Sequence, residues 1–332
     1  SVIKTLTSIN DASANDFHVD KLEGIATPTV DIRNPGELGA GQGPEQNPVT
    51  TKNANPGTTV NFTLFILNTS NQQDNYQLNY STDTTAAGNL SNPGTLPTGW
   101  TASFRDPNNG NTVLTSTGNI AAGGTKEVTF RVNVPAGYDP GEVSLFVRAL
   151  SQTSGAIDIK HEAVFVQTVR GISLVANQTA QVSPGGSVDY IHTLTVTSNV
   201  TENDGTSSDF TIDLSNSVPT GWTAVVYWDA DESGTVNTGD SLLTSAASPN
   251  AAQFPSTVGA LEYGDQVKFI VQVTASTGLN DGATVTTTIE ILDIFEAVPE
   301  VFNEDQTEVQ AGRLSIDKYQ SPDTVSTNFT KS

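Results

Sequence analysis

The sequence predicts an all-β chain built from two tandem β-sandwiches. Apolar residues alternate with polar ones at a period of two along most of the chain, which is the pattern of half-buried strands. Three blocks of sequence also recur in the same order in the two halves of the chain. No window has the apolar spacing of a helix. The 332 residues are enough for two or three domains with sizeable cores.

Six stretches show the alternation most clearly. They are rich in Val, Ile, Thr and Phe, and Gly, Pro, Asn and Asp bound them, as expected for strands. Many strands separated by turn residues are typical of sandwiches. The six stretches are 59–68, 126–135, 143–150, 188–197, 266–275 and 283–292.

The internal repeat sets the predicted domain boundaries. NPGTTVNFTLFILNTS (55–70) matches SPGGSVDYIHTLTVTS (183–198), LPTGWTASFRD (96–106) matches VPTGWTAVVYWD (218–229), and IAAGGTKEVTFRVNVPAG (120–137) matches LEYGDQVKFIVQVTASTG (261–278). The matching order and spacing predict one sandwich over 25–169 and a second over 170–300. Residues 1–24 and 301–332 remain as N-terminal and C-terminal extensions.

These blocks resemble a conserved repeat domain of bacterial and archaeal surface proteins. The resemblance covers both predicted sandwiches, and ANQTAQVSPGGSVDYIHTLTVTS, VPTGWTAVVYWDADESGTVNTGD and GDQVKFIVQVTASTG carry it. It implies an immunoglobulin-like fold that occurs in tandem on cell-wall, S-layer-like and other large extracellular proteins. The family is a building unit of many surface proteins, so the resemblance implies a location more than a specific function.

The composition narrows the classes of partner. The chain has 14 Lys plus Arg against 36 Asp plus Glu, a net charge of −22, which disfavours nucleic acid and anionic lipid. It has no Cys, which excludes disulfides and thiolate sites. It also lacks Met, including an initiator, so we expect a processed, secreted chain. No stretch of about 18 apolar residues predicts a membrane span.

The stretch DADESGTVNTGD has the spacing of a calcium loop. Six residues supply the expected ligands at positions 1, 3, 5, 7, 9 and 12, with the backbone carbonyl acting at position 7 and Gly234 at the sharp turn. Hard oxygen ligands without nearby His or Cys favour Ca²⁺ over Zn²⁺. The alternative is a solvated Asp/Asn/Gly turn without metal. The six candidate ligands are Asp229, Asp231, Ser233, Thr235, Asn237 and Asp240.

No arrangement of residues in the sequence indicates catalysis. The three His residues lie in separate strand-like stretches, and neither G-x-S-x-G nor H-E-x-x-H occurs. The Gly-rich stretch 39–46 lacks the strand and helix that a phosphate-binding loop requires. We therefore expect a protein that is not an enzyme.

The terminal extensions suggest how the protein assembles. The segment 312–325 looks like the opening strand of a further repeat, and a lone strand leaves its backbone groups without partners. We therefore expect a secreted structural subunit of a filament or surface layer that self-assembles by strand exchange and is stiffened by Ca²⁺. The inward anchors would be Leu314 and Ile316, although the segment 1–9 is an alternative donor. The main alternative function is a stalk or adhesin module that binds a glycan or a protein.

Overall fold

The computed structural model describes residues 2–7, 10–11, 13, 15–20, 29–38, 43–82, 95–214, 218–246 and 251–312. Across these residues the regular structure consists of strands without a helix, which confirms the predicted all-β class. None of the described residues form a helix that is long and apolar enough to cross a membrane. The chain divides into two compact units, Ser1–Gln167 and Thr168–Ser332, close to the predicted boundary at 169/170.

The described part of the chain contains 22 strands. Those of the first unit are β1 (Val2–Thr7), β2 (Asn15–Asp20), β3 (Val30–Arg33), β4 (Thr50–Ala54), β5 (Thr59–Asn68), β6 (Asp74–Ser81), β7 (Thr101–Asp106), β8 (Thr112–Leu114), β9 (Ser116–Ile120), β10 (Thr125–Asn133), β11 (Gly141–Ser151) and β12 (Ile157–Val166). Those of the second unit are β13 (Ile172–Val175), β14 (Gln178–Val182), β15 (Ser187–Val196), β16 (Phe210–Leu214), β17 (Trp222–Trp228), β18 (Ser241–Ser245), β19 (Ala252–Gln253), β20 (Gln266–Ala275), β21 (Thr284–Asp293) and β22 (Val301–Val309).

The two units have the same sheet topology. In the first, one sheet has the order β3-β5-β10-β7-β8 and the other β4-β12-β11-β6-β9. In the second, the orders are β13-β15-β20-β17-β18 and β14-β22-β21-β16-β19, so each strand is the counterpart of the strand ten places earlier. In the first unit β3 is antiparallel to β5 in one sheet, whereas β4 is parallel to β12 in the other. In the second unit β13 and β14 are divided between the two sheets in the same way. This arrangement is that of an immunoglobulin-like sandwich.

The alternating residues form one core in each unit. Along β5, Phe62, Leu64 and Ile66 point inward and are no more than 1% exposed, while the residues between them are more exposed. In the second unit, Tyr190 and Leu194 of β15 take the inward positions that correspond to Phe62 and Ile66. Full burial of each such side chain stabilises the fold by about 1.5–3 kcal/mol, so the period of two explains both the strands and the cores.

The predicted end of the second sandwich at residue 300 was wrong. Strand β22 pairs with β21 on one side and with β14 on the other, so it belongs to the sandwich and not to an extension. Its inward residues are Asn303, Asp305, Thr307 and Val309. Three of these are polar, so the strand lacks the apolar alternation that would have predicted it.

The two predicted donor segments, 1–9 and 312–325, are covered to different extents by the described residues. The two N-terminal strands β1 and β2 pair with each other as an antiparallel hairpin, from Val2 opposite Asp20 to Thr7 opposite Asn15. The predicted assembly residues Leu314 and Ile316 lie outside the described residues.

Candidate metal site and buried polar clusters

The predicted calcium loop connects β17 to β18, and Asp229 anchors it. This side chain is only 2% exposed. Its Oδ1 accepts a hydrogen bond from the Ser233 amide and its Oδ2 one from the Gly234 amide, each at 3.0 Å. The Asp229 amide in turn donates to the Lys268 carbonyl of β20 at 3.1 Å. The first predicted ligand therefore holds the loop against the sheet and turns it at the same time.

The sharp turn requires glycine at position 234. Its φ is +71°, a backbone conformation that residues with a side chain rarely adopt. A Cβ at this position would also lie 2.8 Å from Cδ1 of Ile191 on β15. The loop therefore folds back onto this part of the sheet, as expected for the sixth position of an oxygen-ligand loop.

Oxygen atoms of the predicted ligands converge within this loop. One carboxylate oxygen from each of Asp229, Asp231 and Asp240 lies within 4.8 Å of the others. The Asn237 Nδ2 donates to Asp231 Oδ2 at 3.0 Å and to Ser233 Oγ at 2.9 Å. It also donates to the third oxygen, the Thr235 carbonyl, at 3.2 Å. The amide hydrogens carry a partial positive charge, so they occupy a position that would also suit a cation.

The charge and the hydrogen bonding of the loop carboxylates fit a hard cation. Hydrogen bonds from the Ser233 side chain and amide, followed by one from Asn237, lower the pKa of Asp231 and favour its charged form. The Asp240 Oδ2 accepts from the Asn237 amide at 2.8 Å. Its Oδ1 is buried and has no hydrogen-bond partner among the described residues. A cation would satisfy this oxygen, so the donor set fits Ca²⁺, although metal binding stays a prediction.

The corresponding loop of the first unit has a different arrangement. Asp106 lies 2.5 Å from the Lys126 Nζ, and this hydrogen bond is the main reason that the pKa of its carboxyl is lowered. A protein ammonium group therefore already pairs with this carboxylate. Within the described residues, the one group of three or more metal-ligating side chains is that of the second unit.

A second polar cluster lies inside the first unit, and the sequence analysis did not identify it. The Lys160 side chain is 1% exposed, and its Nζ lies 2.8 Å from Glu37 Oε1 and 2.6 Å from Glu45 Oε1. Glu162, on the same strand β12, is fully buried. Asp158 accepts from the Ile32 amide at 2.6 Å and from the Gly43 amide at 2.8 Å.

The position of this cluster follows from strand alternation. Asp158, Lys160 and Glu162 have the same parity along β12 as the core residues Val164 and Val166. Three ionisable residues at alternate positions before two valines were the signal in the sequence. It was missed because the partners Glu37 and Glu45 lie more than 100 residues earlier in the chain.

The second unit has its own buried polar pair at a related place. The His192 Nε2 lies 2.7 Å from Asp305 Oδ2, and both side chains are at most 1% exposed. His192 therefore fills the interior of the unit and is held by β22. This geometry explains why the inward face of β22 is polar.

The comparisons with known proteins do not identify a family. No protein-family model and no curated protein matches the sequence. The chain is similar to a solved structure of the CupB6 tip adhesin from Pseudomonas aeruginosa at 9% identity, covering 87% of this chain and 100% of that one with a TM-score of 0.29. The resemblance to the surface-protein repeat therefore has no support from a family match.

Two further solved structures show comparable likeness. The titin domains z1z2 in complex with telethonin share 14% identity over 81% of this chain and 96% of that one, with a TM-score of 0.27. The sialic acid binding region of the Streptococcus sanguinis SK1 adhesin shares 8% over 86% and 78%, with a TM-score of 0.27. TM-scores this low carry no conclusion about function, and the fold rests on the strands described above.

Proposed function

We propose that this chain is a structural subunit of an extracellular surface assembly. The repeated ten-strand plan of the two units carries this proposal, because tandem copies of one sandwich are typical of proteins that extend or tile a surface. The acidic composition and the absence of Cys agree with a secreted chain that gains stability from metal or assembly. The proposed role is not enzymatic.

In this proposal the loop of the second unit holds one Ca²⁺ ion. Such an ion would supply positive charge to the carboxylates of Asp229, Asp231 and Asp240, which otherwise repel one another. Asp229 and Gly234 already attach the loop to the sheet, so the ion would stiffen a connection that is built in advance. Three carboxylates in an exposed loop suggest a Kd of about 10⁻⁴ to 10⁻³ M, the range of extracellular modules.

The sheet topology refines the proposed mode of assembly. In each unit the parallel edge strand and the last strand pair within the same unit, β4 with β12 and β14 with β22. Neither sandwich therefore needs a strand from another copy to complete this pairing. Strand exchange would instead extend an exposed sheet edge, through backbone hydrogen bonds with side chains giving register.

The C-terminal segment is the proposed donor. Because β1 is already paired with β2, the N-terminal strand has less backbone free for another copy. In the segment 312–325 the alternating Leu314 and Ile316 would face the acceptor and set the register. A head-to-tail contact of this kind does not close on itself, so it would propagate as a fibre or a layer.

Electron microscopy of the 332-residue chain in millimolar Ca²⁺ tests the proposal. We expect regular fibres or sheets, and we expect deletion of 312–332 to leave folded monomers, as measured by light scattering. Dispersed monomers of the full chain would contradict the assembly role and favour a stalk or adhesin module. Unchanged polymerisation of the truncated chain would contradict the C-terminal donor alone.

A further inference from the structure

Two buried polar side chains of the first unit have unmet hydrogen-bonding capacity, and a buried lysine lies beside them. Glu162 is fully buried, and neither of its carboxylate oxygens has a hydrogen-bond partner among the described residues. Asn34 is 7% exposed, and its Nδ2 also lacks a partner in the described part of the chain. Lys160 lies beside them and is 1% exposed. Unpaired buried groups of this kind are costly and call for a chemical explanation.

The backbone brings these side chains to one place. Lys160 and Glu162 share the inward face of β12, and Asn34 directly follows β3. The end of β3 is tied to β12 because the Ile32 amide donates to Asp158 at 2.6 Å.

A single carboxylate links the lysine to the asparagine. The Glu37 Oε1 accepts from Lys160 Nζ at 2.8 Å, while its Oε2 accepts from the Asn34 amide at 2.9 Å. The amine and the asparagine therefore contact the two oxygens of the same group. Both also act on Glu162: the Asn34 side chain, the Lys160 charge and then the Thr50 side chain lower its pKa, although neither Asn34 nor Thr50 makes a hydrogen bond of good geometry with it.

We propose that Lys160 and Asn34 form an intramolecular amide bond inside the first unit, with Glu162 transferring the protons. This modification goes beyond the proposed assembly role and does not depend on it. It would join the segment after the strand β3 to the last strand β12 by a covalent link.

The reaction balances without any added reagent. The Lys160 ammonium gives one proton to the Glu162 carboxylate, and the neutral Nζ attacks Asn34 Cγ, forming the new C–N bond. Glu162 protonates Nδ2 and then takes a proton from Nζ, while the Cγ–Nδ2 bond breaks and its electron pair leaves with ammonia. Glu162 finally passes its proton to the ammonia, so an ammonium ion and one amide remain.

The electrostatics assign the proton-transfer role to Glu162. Burial raises the pKa of Glu162 to about 7, with the Asn34 side chain and the Lys160 charge offsetting only part of this effect. Burial instead lowers the pKa of Lys160, but hydrogen bonds and charges from Glu37 and Glu45 outweigh it and leave the pKa raised. The pKa of Glu37 itself is lowered. Glu162 is thus a stronger base than Glu37 for the proton of an amine that starts charged.

The second unit provides an internal control. When Val166 and Val309 are aligned at the ends of β12 and β22, Lys160 corresponds to Asn303, which has no amine. Glu162 corresponds to Asp305, which is paired with His192. We therefore expect the cross-link in the first unit and none at the equivalent place in the second.

Intact-mass spectrometry of the 332-residue chain tests the proposal directly. We expect a mass lower than that of the sequence by one ammonia molecule. In a tryptic map we expect the peptide 34–52 joined to 149–170, with Lys160 uncleaved because its amine is blocked. The map is needed because a succinimide at Asn109, which precedes Gly110, would also remove one ammonia.

Variants distinguish the roles of Lys160 as the amine, Asn34 as the amide and Glu162 as the group that transfers protons. Lys160→Arg keeps a cation beside Glu37 and Glu45, and Glu162→Gln keeps the shape of the side chain, so we expect both to fold and to show the full mass. In Asn34→Asp the leaving group is water, so the mass should fall by one water molecule. As a matched control, Lys126→Arg should still lose ammonia. The proposal would be overturned if the tryptic map of the unsubstituted chain contained peptide 34–52 only in its unlinked form. An unchanged loss of ammonia in Lys160→Arg would also overturn it.

Discussion

The buried Glu162 should make the first unit less stable as the pH rises, and Glu162→Gln should remove this dependence. The pKa of Glu162 rises from an ordinary value of 4.5 to about 7 in the folded unit, chiefly through burial. Between these values the folded state holds a proton that the unfolded state has released. The free energy of unfolding therefore falls as the pH passes through this window, and the loss is complete above the folded pKa.

The size of the effect follows from the two pKa values. A rise from 4.5 to about 7 corresponds to about 3.4 kcal/mol in total. Of this, about 2.5 kcal/mol falls between pH 5 and pH 8, since part of the titration of the unfolded state lies below pH 5. Glutamine has a similar shape and no charge at either pH, so the variant should lack this contribution.

The measurement compares the loss of unfolding free energy between pH 5 and pH 8 in the protein with Glu162 and in the Glu162→Gln variant. Trp100 is the one tryptophan of the first unit, so its fluorescence reports that unit alone when Trp222 and Trp228 are replaced by Phe. Denaturant unfolding at pH 5 and pH 8 should show a loss that is larger by about 2.5 kcal/mol with Glu162 than with Gln. Both proteins also carry Lys160→Arg, because an Asn34–Lys160 cross-link would remove the Lys160 charge that acts on Glu162. Equal losses in the two proteins would refute the reasoning.

Two further predictions concern backbone packing and metal. Gly43→Ala would place a Cβ 1.7 Å from the Ile159 carbonyl oxygen and break the bond from the Gly43 amide to Asp158, so denaturant unfolding should show a loss of about 2–5 kcal/mol in the first unit. The control Gly278→Ala, with no heavy atom within 4 Å of the new Cβ, should change stability by less than about 0.5 kcal/mol, and an equal effect of both would contradict the steric argument. Calcium at 100 times its Kd should stabilise the second unit by about 2.7 kcal/mol in calorimetry, and chelation or Asp229→Asn should abolish this gain. An unchanged transition upon adding calcium would argue for the solvated turn.

The repeated polar interiors show how this fold tolerates charge. In the first unit Lys160 is matched by carboxylates from the segment between β3 and β4, and in the second His192 is matched by Asp305. Removing one partner of such a pair leaves an uncompensated buried charge, which costs about 3–5 kcal/mol. These clusters therefore constrain which strand lies beside which, in addition to the apolar core.

Features that depend on neighbouring residues were predictable from the sequence. The period of two located strands such as β5 and β20, and the repeated blocks predicted two sandwiches of one kind. The convergence of Asp229, Asp231 and Asp240 was also predictable, because these residues lie in one short stretch and their spacing alone suggests it. In each case the signal comes from the geometry of a short segment of backbone.

Features that join distant segments were decided only by the tertiary structure. Strand β22 escaped prediction because its inward Asn303, Asp305 and Thr307 interrupt the apolar pattern, and they are stabilised by partners such as His192 more than 100 residues away. The grouping of Asn34, Glu37 and Glu45 with Lys160 arises in the same way, because β3 lies against β12 in the folded unit. A polar residue in the interior is favourable only beside its partner, and the sheet topology, which no local pattern encodes, determines that partner.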